Sequence, residues 1–336
     1  MRSFTAVEAR RARWANQLLG GSDLTPTEVV DRAVALQGQD LPAVLRAIAI
    51  RSRTGTTIDD VRAAFDRGEL VRSWPMRGTL FATTPAHLTN LLSLTAERVH
   101  RSATKRRAEL RLDDATIDRA REILAPHGPM TRAEALTLWT DAGLAPGGGR
   151  GYHLIFHHAV AGHWHWGAFR GKSQLLTVTE RGRADADPLP EIVRRIVAAR
   201  GPMTESDIAW WLKLPKTHVR PALDALTEVS VEGVRAWVAG EIPDPGDTRV
   251  TLVPAFDEWI LGYENRDLTA NPAMMRALVP GNNGVFRPPV LVDGTTVGTW
   301  QQRTASRREP SFELTEKVTA ATRKRIEAAV VAWPHE

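Results

Sequence analysis

The sequence predicts an α+β protein with three tandem winged helix-turn-helix modules and a C-terminal β-rich domain in a C-shaped arrangement. Two observations lead to this fold class. A helix-capping phrase occurs three times, and each copy precedes two segments of helical periodicity and then two short strand-like segments joined by a turn. That order is typical of a winged helix. The last third of the chain has no such copy and is instead rich in strand-like segments.

The repeated phrase is a capping box. Its copies are Thr25-Pro26-Thr27-Glu28, Thr131-Arg132-Ala133-Glu134 and Thr204-Glu205-Ser206-Asp207. In each copy the threonine hydroxyl can accept a hydrogen bond from the amide three residues later. The carboxylate at that later position can accept one from the threonine amide and favours the positive end of the helix. The second and third copies also share a Gly-Pro-Met preamble, at 128–130 and 201–203, which indicates duplication.

The remaining elements follow each cap in order. The second helices are predicted from Asp40-Leu41-Pro42, over 152–160 and over 218–226, and the hairpins over 70–82, 163–178 and 229–238. The C-terminal domain is predicted to contain strands at 250–254, 290–297 (turning at Asp293-Gly294) and 311–314, and a closing helix over 315–333. The predicted domains are 1–118 (with a helical connector), 119–187, 188–245 and 246–336.

Composition excludes several classes of function. The 336 residues contain no cysteine, which excludes disulfides, thiolate catalysis and Cys-based zinc or iron–sulfur sites. No apolar run is long enough to span a bilayer, and the arginine-rich N-terminus lacks the apolar core of a signal peptide. We therefore expect a cytoplasmic protein with no membrane partner.

Basic residues outnumber acidic ones by 44 to 39 and are unevenly spread. The three clusters are Arg98, Arg101, Lys105, Arg106, Arg107 and Arg111; Arg46, Arg51 and Arg53; and Arg303, Arg307 and Arg308. For any one cluster alone, a solvated helix face is the more common explanation. Three clusters on a winged-helix chain favour binding to DNA phosphates.

The candidate for chemistry is the junction Gln37-Gly38-Gln39-Asp40, between the two helices of the first module. Gly38 suits a left-handed conformation at a helix end, and Asp40 suits the cap of the next helix, so the two carboxamides would flank a sharp bend. Taken alone, glutamines near a helix end are more often surface or capping residues.

Two other groups of side chains invite a catalytic or metal role. Five histidines lie within 153–165, but with neither cysteine nor a well-placed carboxylate among them we predict no metal and, at most, phosphate contact. Asp257 and Glu258 are adjacent in a segment read as a strand. Their side chains would then point to opposite faces, which favours a structural or DNA-positioning role over shared acid–base chemistry.

Several motifs together resemble the AlkZ-like winged-helix DNA glycosylases, over nearly the whole chain. They are Gln37-Gly38-Gln39-Asp40, Trp74-Pro75-Met76-Arg77-Gly78-Thr79-Leu80, Phe256-Asp257-Glu258-Trp259-Ile260-Leu261-Gly262-Tyr263, Asn283-Gly284-Val285-Phe286-Arg287-Pro288 and Val297-Gly298-Thr299-Trp300. The family's catalytic signature is Gln-x-Gln, whereas the related YcaQ-type branch has an acid at its second position. With Gln39 at the second position, the chain resembles the AlkZ-like proteins rather than the YcaQ-type branch.

The resemblance implies a monofunctional glycosylase, needing no cofactor, that hydrolyses the N-glycosidic bond of N7-alkylated purines, including guanines in interstrand crosslinks. Its catalytic residues would be Gln37 and Gln39. It implies a monomer that holds alkylated double-stranded DNA in a concave basic cradle, in the cytoplasm and associated with the nucleoid. The residues expected to contact DNA are Arg46, Arg51, Arg77, Asn283, Arg287 and Arg303.

Two alternatives come from other classes of protein. A non-enzymatic winged-helix transcriptional regulator would need neither glutamine, would prefer a base sequence to a lesion, and would usually dimerise to bind paired half-sites. A protein that shields lesions without hydrolysis would bind alkylated duplex but release no base. Measuring free base separates both from an enzyme.

Overall fold

The computed structural model describes residues 2–180, 182–242, 250–281, 283–304 and 306–335. The chain divides into two compact units, one of them discontinuous in sequence. Residues 1–61 and 189–336 form the first unit, and residues 62–188 form the second. The mixture of helices and mainly antiparallel sheets confirms the predicted α+β class. The predicted domain boundary after residue 245 lies outside the described residues.

The described residues form 14 helices and 12 strands. The helices are α1 (Ala6–Asn16), α2 (Pro26–Ala33), α3 (Leu41–Ala49), α4 (Ile58–Asp66), α5 (Pro85–Glu109), α6 (Asp114–Leu124), α7 (Arg132–Asp141), α8 (Arg150–Val160), α9 (Leu189–Arg200), α10 (Glu205–Leu212), α11 (Lys216–Leu223), α12 (Glu258–Leu261), α13 (Pro272–Leu278) and α14 (Ala320–Val331). The strands are β1 (Arg2–Phe4), β2 (Ala35–Gln37), β3 (Val71–Met76), β4 (Thr79–Thr83), β5 (Trp164–Arg170), β6 (Ser173–Val178), β7 (Thr227–Val231), β8 (Val234–Val238), β9 (Val250–Leu252), β10 (Pro289–Val292), β11 (Thr295–Gln301) and β12 (Ser311–Leu314).

The first unit contains two sheets. In one, β1 pairs in parallel with β7, which pairs antiparallel with β8. The other has the order β12-β11-β10-β9, and its β10–β11 hairpin turns at Asp293-Gly294 as predicted. Helix α14 covers this sheet with Ile326 and Val330, which share a buried cluster with Trp300. The helix begins at Ala320, later than predicted, because the Thr319 hydroxyl caps it.

The second unit contains strands in the order β4-β3-β5-β6 and the helices α5 to α8. One large apolar cluster fills it, and it includes Trp74 of β3, Trp139 of α7 and Trp164 of β5. Trp139 and Trp164 are both fully buried in this cluster. Among the described residues, every helix of the protein is too short or too polar to cross a lipid bilayer.

All three predicted capping boxes are present. The amides of Thr25, Thr131 and Thr204 donate to the carboxylates three residues later, with N···O distances of 2.8, 2.7 and 3.1 Å. In each box the reciprocal bond, from the later amide to the threonine hydroxyl, is also formed. The phrase therefore starts α2, α7 and α10, as the sequence predicts.

The Gly-Pro-Met preambles have the same structural role in both copies. Met130 forms an isolated antiparallel bridge with Leu176 of β6, and Met203 forms one with Trp237 of β8. In each bridge two backbone hydrogen bonds of 2.7–3.0 Å join the segment before the cap to the second strand of the hairpin. Two helices and a hairpin follow each preamble, so the predicted element order of these copies is confirmed.

The histidine-rich segment packs inside the second unit. His158 of α8 lies with its Nε2 atom 2.9 Å from the carbonyl oxygen of Ile117 and its ring centroid 4.2 Å from that of Trp164. Burial, with nearby cationic groups, lowers the pKa of His157 to about 3, and burial lowers the pKa of His158 to about 4. Among the described residues, no three His, Asp or Glu side chains are grouped to hold a metal ion.

These pKa values predict acid sensitivity of the second unit. An unfolded histidine titrates near 6.5, so between about pH 6.5 and 4 the unfolded state binds protons that folded His157 and His158 do not. Stability is therefore fully present above pH 6.5 and should fall as the pH falls through this window, as measured by urea unfolding. His157→Gln should flatten the dependence, whereas the exposed control His127→Gln should leave it unchanged. A wild-type midpoint that does not move over this window would contradict the prediction.

Candidate active site

The Gln37-Gly38-Gln39 segment forms a tight turn between β2 and α3. The Oε1 atom of Gln37 accepts a hydrogen bond from the backbone amide of Gln39 at 2.8 Å. Gln37 is only 7% exposed and Gly38 is buried, whereas Gln39 is exposed. One glutamine therefore lies at the base of the turn and braces it, and the other presents its side chain at the surface.

The next residue begins α3 as predicted. The Oδ1 atom of Asp40 accepts a hydrogen bond from the amide of Ala43 at 2.9 Å, which is the bond of a helix N-cap. Its carboxylate is thus directed to the helix backbone. The turn is therefore fixed at its end by a cap and at its centre by the Gln37 side chain.

The positive φ predicted at Gly38 is found instead at Val34, although not with the ψ of a left-handed helix. Val34, the residue after the last residue of α2, has φ 66° and ψ −50°, while Gly38 is not at positive φ. The reason is that β2 intervenes: the chain reverses directly after α2 and is extended again before the glutamine turn. Positive φ is strained for a β-branched residue, and such strain persists only where surrounding contacts impose it.

Those contacts come from a buried ion pair behind the turn. The Nε atom of Arg200 lies 2.9 Å from Oε2 of Glu258, and these side chains are 1% and 2% exposed. Glu258 Oε1 accepts the backbone amide of Gln37 at 3.1 Å. Arg200 also donates to the carbonyl oxygens of Ala33 and Ala35, at 2.9 and 2.7 Å. The pair thus holds the backbone on both sides of Val34 and at Gln37.

The interpretation of Asp257 and Glu258 as strand residues is wrong. Asp257 is the N-cap of the short helix α12, and its side chain accepts the amide of Trp259. Because the segment is helical, both carboxylates turn inward, each to a different arginine. The structural role predicted for these residues is confirmed, and it acts on the candidate site.

The prediction that Arg51 contacts phosphate is contradicted by its position. Its guanidinium is 2% exposed and makes a bidentate pair with Asp257, with N···O distances of 2.8 and 2.9 Å. It also donates to the carbonyl oxygens of Gln17 and Ala47. A basic cluster read from sequence does not distinguish the arginine that faces inward, and here the inward residue stabilises the first unit.

Arg46 lies one helical turn into α3 and is half-buried. Its Nε atom donates to the carbonyl oxygen of His335 at 2.9 Å, and burial lowers its pKa, partly offset by the nearby Asp40 carboxylate. Arg46 lines a surface cavity of about 450 Å³ together with Asp40, Trp300 and Arg307. Since Asp40 follows Gln39 directly, a cationic cavity lies beside the glutamine turn.

The other predicted DNA contacts lie in loops. In the first unit, Asn283 and Arg303 are exposed and Arg287 is half-buried; the Oδ1 atom of Asn283 accepts the amide of Val285 and so closes its own turn. In the second unit, Arg77 is half-buried at the tip of the β3–β4 hairpin, with its guanidinium carbon 5.0 Å from the centroid of the Phe81 ring. Each unit therefore carries at least one of these residues.

Sequence reasoning missed Arg200 and Val34 and left Glu258 without a specific role. For Glu258 a signal existed, since it lies in the motif over 256–263, but a linear motif does not reveal its partners. For Arg200 and Val34 no local pattern marks the contact, because the bond between Arg200 and Ala35 joins residues 165 positions apart.

Comparison with known proteins agrees with the motifs. A family model described as DNA glycosylase AlkZ-like matches residues 30–334. The chain is 26% identical over 307 residues to the interstrand DNA cross-link repair glycosylase of Streptomyces sahachiroi, covering 82% of this chain and 81% of that protein. The solved structure of Streptomyces sahachiroi DNA glycosylase AlkZ matches with a TM-score of 0.81 and 22% identity, covering 99% of this chain and 96% of that chain. At this identity the structural match establishes the fold.

Proposed function

Since the chain belongs to the AlkZ-like DNA glycosylase family, we propose that it is a monofunctional DNA repair glycosylase hydrolysing the N-glycosidic bond of N7-alkylated purines. The family membership predicted from the motifs is confirmed. The observation that supports the specific chemistry is the glutamine turn, in which the buried Gln37 braces the backbone of the exposed Gln39. Both residues are proposed as catalytic.

In this proposal the alkylation itself weakens the N-glycosidic bond considerably. An N7-alkylated guanine is cationic, so it leaves readily and the sugar becomes cationic as the bond breaks. Carboxamide oxygens can orient a water beneath C1′ and complement the developing positive charge in a preorganised site. A carboxamide is no general base at neutral pH, so neutral bases should be poor substrates.

Crosslinked purines are proposed as part of the substrate range. The relative from Streptomyces sahachiroi is described as an interstrand cross-link repair glycosylase. A base tethered to the opposite strand cannot rotate freely out of the helix. We therefore propose that attack takes place on a base left largely within the duplex, which an exposed residue at the tip of a turn can approach more readily than one in a deep pocket.

Binding of double-stranded DNA is proposed to use the tandem winged helices. In support, residues 114–178 and 189–238 repeat the same order of three helices and a hairpin with the same methionine bridge. The proposed contacts are Arg46, Arg77, Asn283, Arg287 and Arg303. The protein would act as a monomer on chromosomal DNA, in the cytoplasm and associated with the nucleoid.

The test is release of free base from a duplex with a single N7-methylguanine. Wild type should release 7-methylguanine and leave an abasic strand that breaks only after alkali or heat. A matched duplex with guanine should give none, and EDTA should not reduce release. Tight binding of the lesion duplex without release would overturn the proposal in favour of a shielding protein. Binding that follows base sequence rather than the lesion would favour a regulator, a class that the family match does not support.

A further inference from the structure

The motif over 256–263 surrounds Glu258, whose contacts reach the proposed catalytic turn directly. We propose that Glu258, held by Arg200, is a positioning residue that sets the backbone of the Gln37–Gln39 turn for catalysis. The catalytic part of this inference rests on the proposed function. The geometric part, that the carboxylate holds the turn, stands independently of it.

The two carboxylate oxygens of Glu258 have separate tasks. Oε1 accepts the backbone amide of Gln37 at 3.1 Å. Oε2 accepts from Nε of Arg200 and from Nε1 of Trp211, each at 2.9 Å. Every one of these partners donates a hydrogen, so the site requires an acceptor on both sides. A carboxylate supplies two, whereas a carboxamide supplies one oxygen and an NH₂ group that would face another donor.

Arg200 also holds the backbone around the strained residue Val34. Its two terminal nitrogens donate to the carbonyl oxygens of Ala33 and Ala35, which flank Val34. The phenolic hydroxyl of Tyr263 in turn donates to the Arg200 carbonyl oxygen at 2.8 Å. Val34, at φ 66°, sets the direction in which β2 leaves α2, and Gln37 is the last residue of β2.

Two hydrogen bonds hold the Gln37–Gln39 turn rigid, and only one of them involves Glu258. The bond between Gln37 Oε1 and the Gln39 amide fixes the turn internally, while Glu258 fixes its first residue to the core. Removing the bond from Glu258 leaves the turn itself intact but less firmly attached to the core. A displacement of about 1 Å at a catalytic group can cost about 100-fold in rate. The expected defect is therefore in the chemical step, with DNA affinity retained.

Glu258→Gln is the primary test, with Asp207→Asn as its matched control. Asp207 is another buried carboxylate, 1% exposed and 3.5 Å from Arg13, and it accepts hydrogen bonds from the amides of Thr204, Glu264 and Asn265 rather than from the turn. Glu258→Gln should lower the single-turnover rate of 7-methylguanine release by about 10- to 100-fold with unchanged duplex affinity. Asp207→Asn should retain the wild-type rate, even though its thermal stability falls.

Hydrogen exchange provides a readout that does not depend on activity. In Glu258→Gln the peptide covering 34–40 should exchange faster, because the Gln37 amide has lost its acceptor, while Asp207→Asn should exchange as wild type there. If Glu258→Gln fails to fold, Arg200→Lys provides the second test. Lysine keeps the positive charge opposite Glu258 but cannot donate to the carbonyl oxygens of both Ala33 and Ala35. The same faster exchange and slower release are then expected.

The outcomes are distinct. Wild-type exchange over 34–40 in the folded variant would overturn the positioning role. Faster exchange with a wild-type rate would overturn its catalytic part, as would an equal rate loss in Asp207→Asn. If wild-type protein releases no base, the proposed function fails, and exchange alone then decides whether Glu258 holds the turn.

Discussion

Replacing Gln39 with alanine is expected to lower the single-turnover rate of base release from an N7-methylguanine duplex by about 100- to 1000-fold, the loss typical when one preorganised polar group is removed. The side chain is exposed, so truncating it should open no internal cavity. Its backbone amide, which contacts Gln37, is unchanged by the substitution. The loss should therefore be confined to chemistry.

Two comparisons support that assignment. Gln39→Ala should unfold at the wild-type temperature and bind the lesion duplex with wild-type affinity. Gln37→Ala should also lose activity, but with faster hydrogen exchange over 34–40, because it removes the acceptor of the Gln39 amide. Equal base release by wild type and both variants would remove the glutamines from the mechanism, while leaving open a glycosylase that uses other residues.

Replacing Arg51 with alanine is expected to lower the free energy of unfolding of the first unit by about 3–5 kcal/mol, because removal of one partner leaves a buried charge without compensation. Asp257, on the other side of the pair, is 3% exposed. The substitution also removes the donors to the carbonyl oxygens of Gln17 and Ala47. Urea unfolding followed by tryptophan fluorescence measures the loss.

Arg53 provides the matched control. It lies two positions further along the chain and is exposed, so Arg53→Ala should change stability by no more than about 0.5 kcal/mol. If the Arg51 and Arg53 variants unfold at the same urea concentration, the buried pair contributes nothing and Arg51 returns as a candidate for phosphate contact.

Local sequence signals predicted the hairpins and the helices that follow the capping boxes. A capping box specifies a helix start through bonds between residues three apart, so it needs no knowledge of the rest of the chain. The Asp293-Gly294 turn is equally local. The glutamine turn was located for the same reason, since Asp40 begins α3 through its own side chain.

The features that the sequence did not predict depend on contacts between residues that are far apart in the chain. Glu258 acts through Gln37, 221 positions away, and Arg51 through Asp257, 206 positions away. Surface and interior arginines have the same local pattern, so their burial is decided by the fold. Positive φ occurs at Val34, whose neighbouring carbonyl oxygens are bonded by the distant Arg200, whereas local preference pointed to Gly38.

The division of the first unit into residues 1–61 and 189–336 has a consequence for biosynthesis. As the chain leaves the ribosome, the residues around Arg51 emerge long before Asp257, and those around Gln37 long before Glu258. The uninterrupted stretch 62–188 can reach its native state while the earlier stretch still waits for its partners. The glutamine turn is thus translated well before the residues that support it, so a product truncated before Glu258 would not carry an assembled site.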